Sequence, residues 1–152
     1  MKESPGERRI AERMAPGVLS REGFMGTDRR PLSEIIDADF AEVTRLGTTH
    51  EALALELGRV LDAAVAAMGA AVTLGANRTA RYRDAMGRMP CPFGGCGVFP
   101  KGEVELSDPD TGETIRFTPL SVHMVAEHGF YQGRGSPYRL DPAALVRLLA
   151  TG

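Results

Sequence analysis

Two cysteines and two histidines in the C-terminal half of the chain most constrain how it can fold. Cys91 and Cys96 enclose a Pro-Phe-Gly-Gly turn, and His123 and His128 follow in a segment with helical character. The spacing is C-x4-C, then 26 residues, then H-x4-H. Structural zinc sites use such closely spaced pairs because thiolate and imidazole ligands suit a closed tetrahedron. The pattern indicates a metal site, but it names no reaction.

The two histidines can meet at one ion only if the helix ends in the right place. A step of five residues corresponds to about 140° around a helix with 3.6 residues per turn. His128 must therefore lie at the end of the helix, and Gly129 directly after it is typical of such an end. Two other interpretations remain open. In the first, the cysteines are inert buried thiols and the histidines are unrelated to them. In the second, the cysteines form a redox or disulfide pair, although redox pairs usually have the spacing C-x-x-C.

Residues 120–129, with a leucine three residues before the first histidine, resemble the helical half of a two-cysteine, two-histidine zinc finger. Residues 91–96 resemble the knuckle half of that family. The resemblance implies that Leu120 packs beneath a zinc ion whose ligands are Cys91, Cys96, His123 and His128. Zinc fingers place about 12 residues between the second cysteine and the first histidine, and this chain places 26 there. The resemblance therefore concerns the ligand set and not DNA reading.

Hydrophobic periodicity predicts an α+β fold with N-terminal helices, a small antiparallel sheet and C-terminal helices. Four helices are expected in this part of the chain. The first covers 31–46, and the second begins at a capping box of Thr48 and Glu51 and runs toward Gly69. The third runs from Thr118 and Pro119 to Gly129, and the fourth covers 143–150. Alternating residues predict a strand at 79–88 and a β-hairpin formed by 103–106 and 114–117, with turn-forming residues between them.

Residues 1–30 are interpreted as an extended arm with a short helix at 7–14, because prolines and glycines are scattered among charges. The apolar residues of the arm are expected to dock on the chain's own domain or on a partner subunit; these are Val18, Leu19, Phe24 and Met25. Residues 31–152 are then a single α+β domain. It consists of a helical half at 31–77 and a ββα-containing half at 78–152 that carries the zinc site.

Composition restricts the environment and the partners. An apolar content of 43% and a charged content of 25% are ordinary for a globular domain. The net charge of −2 argues against nucleic acid or an anionic membrane as partner. The longest uncharged apolar run, 63–77, has 15 residues, whereas a bilayer requires roughly 20. With two cysteines and no secretory signal visible, a cytoplasmic location with reduced thiols is expected.

A second candidate site is the glycine-rich loop from Gly129 to Arg139. Arg134 and Arg139 are suited to bind phosphate or carboxylate, Ser136 offers a further donor, and Tyr138 offers a ring for stacking. The simpler interpretation is a connector between two helices, because loops of this composition commonly join secondary-structure elements.

These observations favour a small cytoplasmic, zinc-stabilised binding or interaction protein without catalysis. A homodimer through the apolar helix after Thr48 is a further expectation. The alternative is a metal-assisted or anion-binding enzyme. Its pocket for a small anion or small molecule would lie between His123, His128 and the glycine-rich loop.

Overall fold

The computed structural model describes residues 4–75 and 77–149, in which five helices and six strands occur. The helices are α1 (Pro5–Arg13), α2 (Leu32–Arg45), α3 (His50–Ala66), α4 (Pro119–His128) and α5 (Pro142–Leu149). The strands are β1 (Val72–Leu74), β2 (Arg78–Arg83), β3 (Arg88–Pro90), β4 (Val98–Pro100), β5 (Glu103–Ser107) and β6 (Thr114–Phe117). The predicted α+β class, with helices in both terminal regions, is confirmed.

Four strands form an antiparallel sheet in the order β1-β2-β5-β6. The predicted hairpin is β5 and β6, which pair with Leu106 opposite Ile115. β3 and β4 form a separate two-stranded antiparallel ribbon, with Met89 opposite Phe99. The strand predicted over 79–88 is therefore divided between two sheets, and residues 84–87 turn the chain from one to the other, with Gly87 at φ +96°.

The helix boundaries follow local capping chemistry. α2 lies as predicted, with Pro31 and Leu46 as its caps. α3 begins one residue later than predicted, because the hydroxyl of Thr49, not Thr48, accepts from the N–H of Ala52. The N–H of Thr48 instead donates to the carbonyl of Val43 and helps to close the end of α2. α3 ends at Ala66, short of Gly69, and β1 follows where no secondary structure was predicted.

The C-terminal helices lie close to their predicted positions. α4 starts with a capping box in which Thr118 and Ser121 satisfy each other's backbone N–H groups, and it ends at His128. α5 begins at Pro142, one residue before the predicted start, and the predicted last residue, Ala150, lies outside the described residues. Residues 1–3 of the predicted arm, Ala76 and residues 151–152 of the predicted domain also lie outside them.

Two hydrophobic clusters form the interior. The first cluster joins the sheet to α3, α4 and α5, and it contains Leu57, Ala80, Leu106, Phe117, Val125, Tyr131, Leu145 and their neighbours. The second cluster joins the N-terminal region to α2, α4 and the cysteine segment, and it contains Met14, Phe24, Leu32, Ile35, Cys91, Leu120, Met124 and Phe130. The functional residues discussed below lie in and around the second cluster.

The N-terminal segment docks on the chain's own second cluster. Met14 and Phe24 are buried there, whereas Val18 is 57% exposed. The carbonyl of Phe24 accepts from the N–H of Gly133, and the N–H of Thr27 donates to the carbonyl of Arg134, so the segment is also hydrogen-bonded to the glycine-rich loop. The division into an arm and one domain stays a prediction, as does the homodimer. None of the helices in the described ranges is both long and apolar enough to cross a membrane.

Candidate metal centre

The two cysteines lie on the tight connection between β3 and β4. Gly94 and Gly95 have φ angles of +89° and +73°, a left-handed conformation that glycine adopts without steric cost. The N–H of Gly94 donates to the carbonyl of Cys91, and the N–H of Cys91 donates to the carbonyl of Gly97. This closed turn, with antiparallel strands on either side, brings the sulfurs of Cys91 and Cys96 together.

The two histidines come from the C-terminal half of α4, as the spacing requires. His128 is the last residue of the helix, and Gly129 follows as a left-handed cap with φ +60°. The imidazole centroids of His123 and His128 are 5.3 Å apart, with the ring planes 76° to one another. The two imidazoles therefore lie close together although both residues belong to the helix and are five residues apart.

The four side chains converge on one point. One potential ligand atom from each of Cys91, Cys96, His123 and His128 lies within 4.8 Å of the others. The Nε2 atom of His128 lies 3.6 Å from the sulfur of Cys91 and 3.5 Å from the sulfur of Cys96. In a tetrahedral site with Zn–S near 2.3 Å and Zn–N near 2.05 Å, the sulfur-to-nitrogen separation is about 3.6 Å. The cluster therefore has the dimensions of a metal site, as the resemblance to a zinc finger implied.

The Nε2 atom of His123 provides independent evidence. This atom is buried, and it has no hydrogen-bond partner in the part of the chain that the structure describes. Leaving a buried polar nitrogen without a partner costs about 1–3 kcal/mol. A metal ion bound by the cluster would remove that cost, because the lone pair of Nε2 would coordinate it.

Aromatic rings surround the cluster. Phe93 stacks on the imidazole of His128, with centroids 3.9 Å apart and planes within 6°. Phe99 packs against His123 at 4.6 Å, and Phe130 meets Phe93 edge-on. Leu120 is buried in the same cluster as Cys91, as the resemblance implied. The aromatic contacts were not predicted, although the position of Phe93 between the two cysteines is a signal that sequence reasoning missed.

Burial determines the electrostatics of the centre. It raises the pKa of Cys91 to about 11, and the neighbouring thiol of Cys96 adds to the effect. Burial also lowers the pKa of His128, helped by the proximity of His123. The environment therefore favours neutral groups, and the neutral imidazole of His128 has a lone pair available for a metal.

One contact fastens the N-terminal segment to the cysteine turn. The Nε atom of Arg13, the last residue of α1, donates to the carbonyl of Pro92 at 2.6 Å. The guanidinium of Arg13 also lies beside Gly94, where a Cβ atom would come within 3.3 Å of it. Because 79 residues separate Arg13 from Pro92, no local pattern in the sequence could have predicted this contact.

Three of the four residues predicted for anion binding have side-chain partners within the protein, and the fourth, Arg134, is exposed. Arg139 forms a bidentate ion pair with Asp39, in which Nη1 donates to Oδ2 at 2.6 Å and Nη2 donates to Oδ1 at 2.9 Å. The hydroxyl of Ser136 donates to the side chain of Gln132, and the hydroxyl of Tyr138 donates to Glu103. Sequence reasoning missed Asp39 because it lies 100 residues from Arg139.

The same residues are not gathered at one cavity. Arg134 and Arg139 line a shallow cleft together with Asp39, Glu42 and Asp141. Tyr138 lines a different cavity, bounded by the N-terminal segment. The three carboxylates in the first cleft make it a poor place for an anion. Anion binding by this loop stays a prediction.

Comparison of the chain with protein-family models, with curated proteins and with solved structures found no match. The molecule is therefore defined by its own geometry: an α+β protein with a candidate metal centre of two cysteines and two histidines.

We expect Phe93→Ala to weaken metal binding by about tenfold, because groups that hold a ligand ring in place typically contribute 10- to 100-fold to affinity. The measurement is a competition titration against a chelator of known affinity. Phe40→Ala is the matched control, since Phe40 is 58% exposed on α2. Equal affinities for the two variants would contradict a positioning role for the stack.

We expect Asp39→Ala to lower the free energy of unfolding by about 2 kcal/mol, because it removes two charge-assisted hydrogen bonds from the partly buried guanidinium of Arg139 and leaves it the carbonyl of Gln132. Glu42→Ala removes a pair with Arg45 that is exposed on α2, and it should leave the free energy of unfolding nearly unchanged because solvent screens such a pair. Urea denaturation of both variants tests the contrast. A similar loss in both would show that the pair of Asp39 and Arg139 is no more than a surface contact.

Proposed function

We propose that Cys91, Cys96, His123 and His128 bind one zinc ion, and that the chain is a zinc-stabilised binding or interaction protein without catalysis. The observation that carries the proposal is the convergence of the four side chains, and it is supported by the buried Nε2 atom of His123, which has no hydrogen-bond partner in the described part of the chain. Two independent facts, ligand spacing and an unsatisfied nitrogen, thus favour the same site.

The chemistry of the donor set favours zinc. Calcium and magnesium require oxygen ligands, whereas thiolate and imidazole in a tetrahedron are the usual ligands of zinc. Two thiolates and two neutral imidazoles around a divalent cation have no net charge. That balance suits a site walled by Phe93, Phe99 and Phe130, because an apolar environment penalises an uncompensated charge.

A structural role follows from the number of ligands and from what they connect. Four protein ligands leave no open coordination position for a substrate or an activated water. The cysteines belong to the ribbon of β3 and β4, and a two-stranded ribbon is marginally stable on its own. A shared ion would join this ribbon to the end of α4, which is part of both hydrophobic clusters.

The role in binding is supported by what the ribbon presents. Met86 and Val98, on the turn before β3 and on β4, are 96% and 54% exposed. An ion that fixes the ribbon would hold these apolar side chains in a defined arrangement for a partner. A cytoplasmic location is supported by the ligand chemistry, because a reducing compartment keeps Cys91 and Cys96 as thiols available to zinc.

We expect purified, untagged protein to contain about one zinc ion per chain, because the four side chains form one closed site. Cys96→Ser and His123→Ala should each lose most of it. His50→Gln is the matched control, since His50 is the third histidine of the chain and lies outside the cluster. Elemental mass spectrometry measures the content. Wild-type protein without metal, or a Cys96→Ser variant that retains it, would overturn the proposal.

We expect removal of zinc by a chelator to open the second cluster and leave the first largely closed. Hydrogen exchange should accelerate by at least tenfold in α1, in the ribbon of β3 and β4 and at the end of α4, because these elements meet at the site. β2 and β5 should remain protected as an internal control. An open catalytic metal predicts the opposite result, with exchange nearly unchanged throughout.

A further inference from the structure

A second site lies on the other side of the N-terminal segment. A cavity of about 230 Å³ opens between residues 20–24, the ribbon of β3 and β4, the start of α4 and the glycine-rich loop. Phe24, Met89, Pro100 and Leu120 form its apolar walls. At about 30 Å³ per water molecule, the volume equals seven or eight waters, which suits a compact organic molecule.

The buried amide of Gln132 provides the polar group of this cavity. Gln132 lines the cavity and is 4% exposed. Its Oε1 atom accepts from the hydroxyl of Ser136 at 2.6 Å, which orients the amide. Its Nε2 atom donates to no other group within the described ranges. The N–H groups of this amide therefore remain available to donate to an acceptor atom of a ligand in the cavity.

The backbone at Gln132 supports a functional interpretation. Its φ angle is +69°, a left-handed conformation that is uncommon for a residue other than glycine and costs roughly 1–2 kcal/mol. The carbonyl of Gln132 accepts from Arg139, and the next residue, Gly133, donates to the carbonyl of Phe24. The surrounding structure therefore holds the strained residue in place, a situation frequent at ligand sites.

The remaining polar groups of the cavity favour an acidic ligand. The Oγ atom of Ser20 accepts from the N–H of Gly23, which leaves the hydroxyl hydrogen for a ligand. Arg21 and Lys101 bring two positive charges to the exposed rim, against the single carboxylate of Glu22. The hydrogen-bond donors of Gln132 and Ser20 and the net positive charge of the rim together favour an acceptor with negative charge.

We propose that this cavity binds a small monocarboxylate with a compact apolar body. The carboxylate accepts from the amide of Gln132 and from the hydroxyl of Ser20, and the apolar body packs against Phe24, Met89 and Leu120. The proposal goes beyond the zinc site and does not rest on it, because neither the cavity nor Gln132 includes any of the four metal-binding residues.

The composition of the chain makes the test unusually direct. Gln132 is the only glutamine, and Asn77 is the only asparagine. A nitrogen-15 correlation spectrum therefore contains two side-chain amide groups, which Gln132→Glu assigns by removing one of them. Titration of wild-type protein with benzoate and with hexanoate should change the chemical shift of the Gln132 amide resonance in a saturable way. The chemical shift of the exposed Asn77 amide should not change, so this resonance is the internal control.

The roles of the ligand's carboxylate and of the Gln132 amide are tested separately, the first with analogues of benzoate and the second with a variant of Gln132. Benzamide and benzylamine, which replace the carboxylate by a neutral and a cationic group, should bind at least tenfold more weakly than benzoate. Gln132→Glu retains the size of the side chain and an oxygen for Ser136 but repels a carboxylate, so it should weaken benzoate binding at least tenfold. Its zinc content should equal that of wild type, which separates this result from any failure of the metal site.

Three outcomes would overturn the proposal. One is a Gln132 amide resonance whose chemical shift does not change with either carboxylate up to about 20 mM. That concentration is high enough to detect the weak binding expected of so small a ligand. Another is equal or tighter binding of benzylamine. The third is unchanged benzoate affinity in Gln132→Glu, which would place the ligand elsewhere.

Discussion

The convergence of the cysteine turn on the end of α4 is the interaction on which the second half of the molecule depends. Cys91 is buried in the second cluster beside Phe24 and Leu120, so it belongs to the core as well as to the candidate metal centre. The ribbon that carries it has only β3 and β4 and cannot bury a core of its own. Its attachment to the body therefore comes from the cysteines, the aromatic rings around them and the contact between Arg13 and Pro92.

Features encoded within a few residues were predicted well. The hairpin of β5 and β6 follows from alternating side chains on either side of a turn-forming segment, and the paired register agrees with it. The start of α4 was evident because Thr118 and Pro119 are a cap and a first helical residue, and its end was evident from Gly129. The close approach of His123, His128 and the two cysteines was also predicted, from the short spacing within each pair.

Features decided by a particular pairing of groups were not predicted. Thr48 and Thr49 are equally good caps by composition, and the hydrogen bond from Thr48 to Val43 decides between them. β1 is only three residues long and becomes a strand because β2 lies beside it. Both contacts are local, but the side-chain pattern does not show which backbone groups pair. The ion pair of Arg139 with Asp39 joins residues that are 100 positions apart, so no local pattern could show it.

α4 connects the two sites and the two hydrophobic clusters. Met124 belongs to the second cluster and the adjacent Val125 to the first, so the helix is apolar on two faces. Thr118 and Leu120 at its start line the cavity of Gln132, and His128 at its end belongs to the metal centre. These ends are separated by roughly 12–15 Å of helix at 1.5 Å per residue.

A ligand at either end of α4 would order residues that the other proposed site also uses, because Phe24 and Leu120 belong to both the cavity and the second cluster. If an ion had already ordered the second cluster, the walls of the cavity would have lost their conformational freedom before a carboxylate bound. Binding of the second ligand would then cost less entropy, and the coupling between the sites would be positive. Linkage would make this coupling reciprocal, so the carboxylate would strengthen metal binding by the same factor.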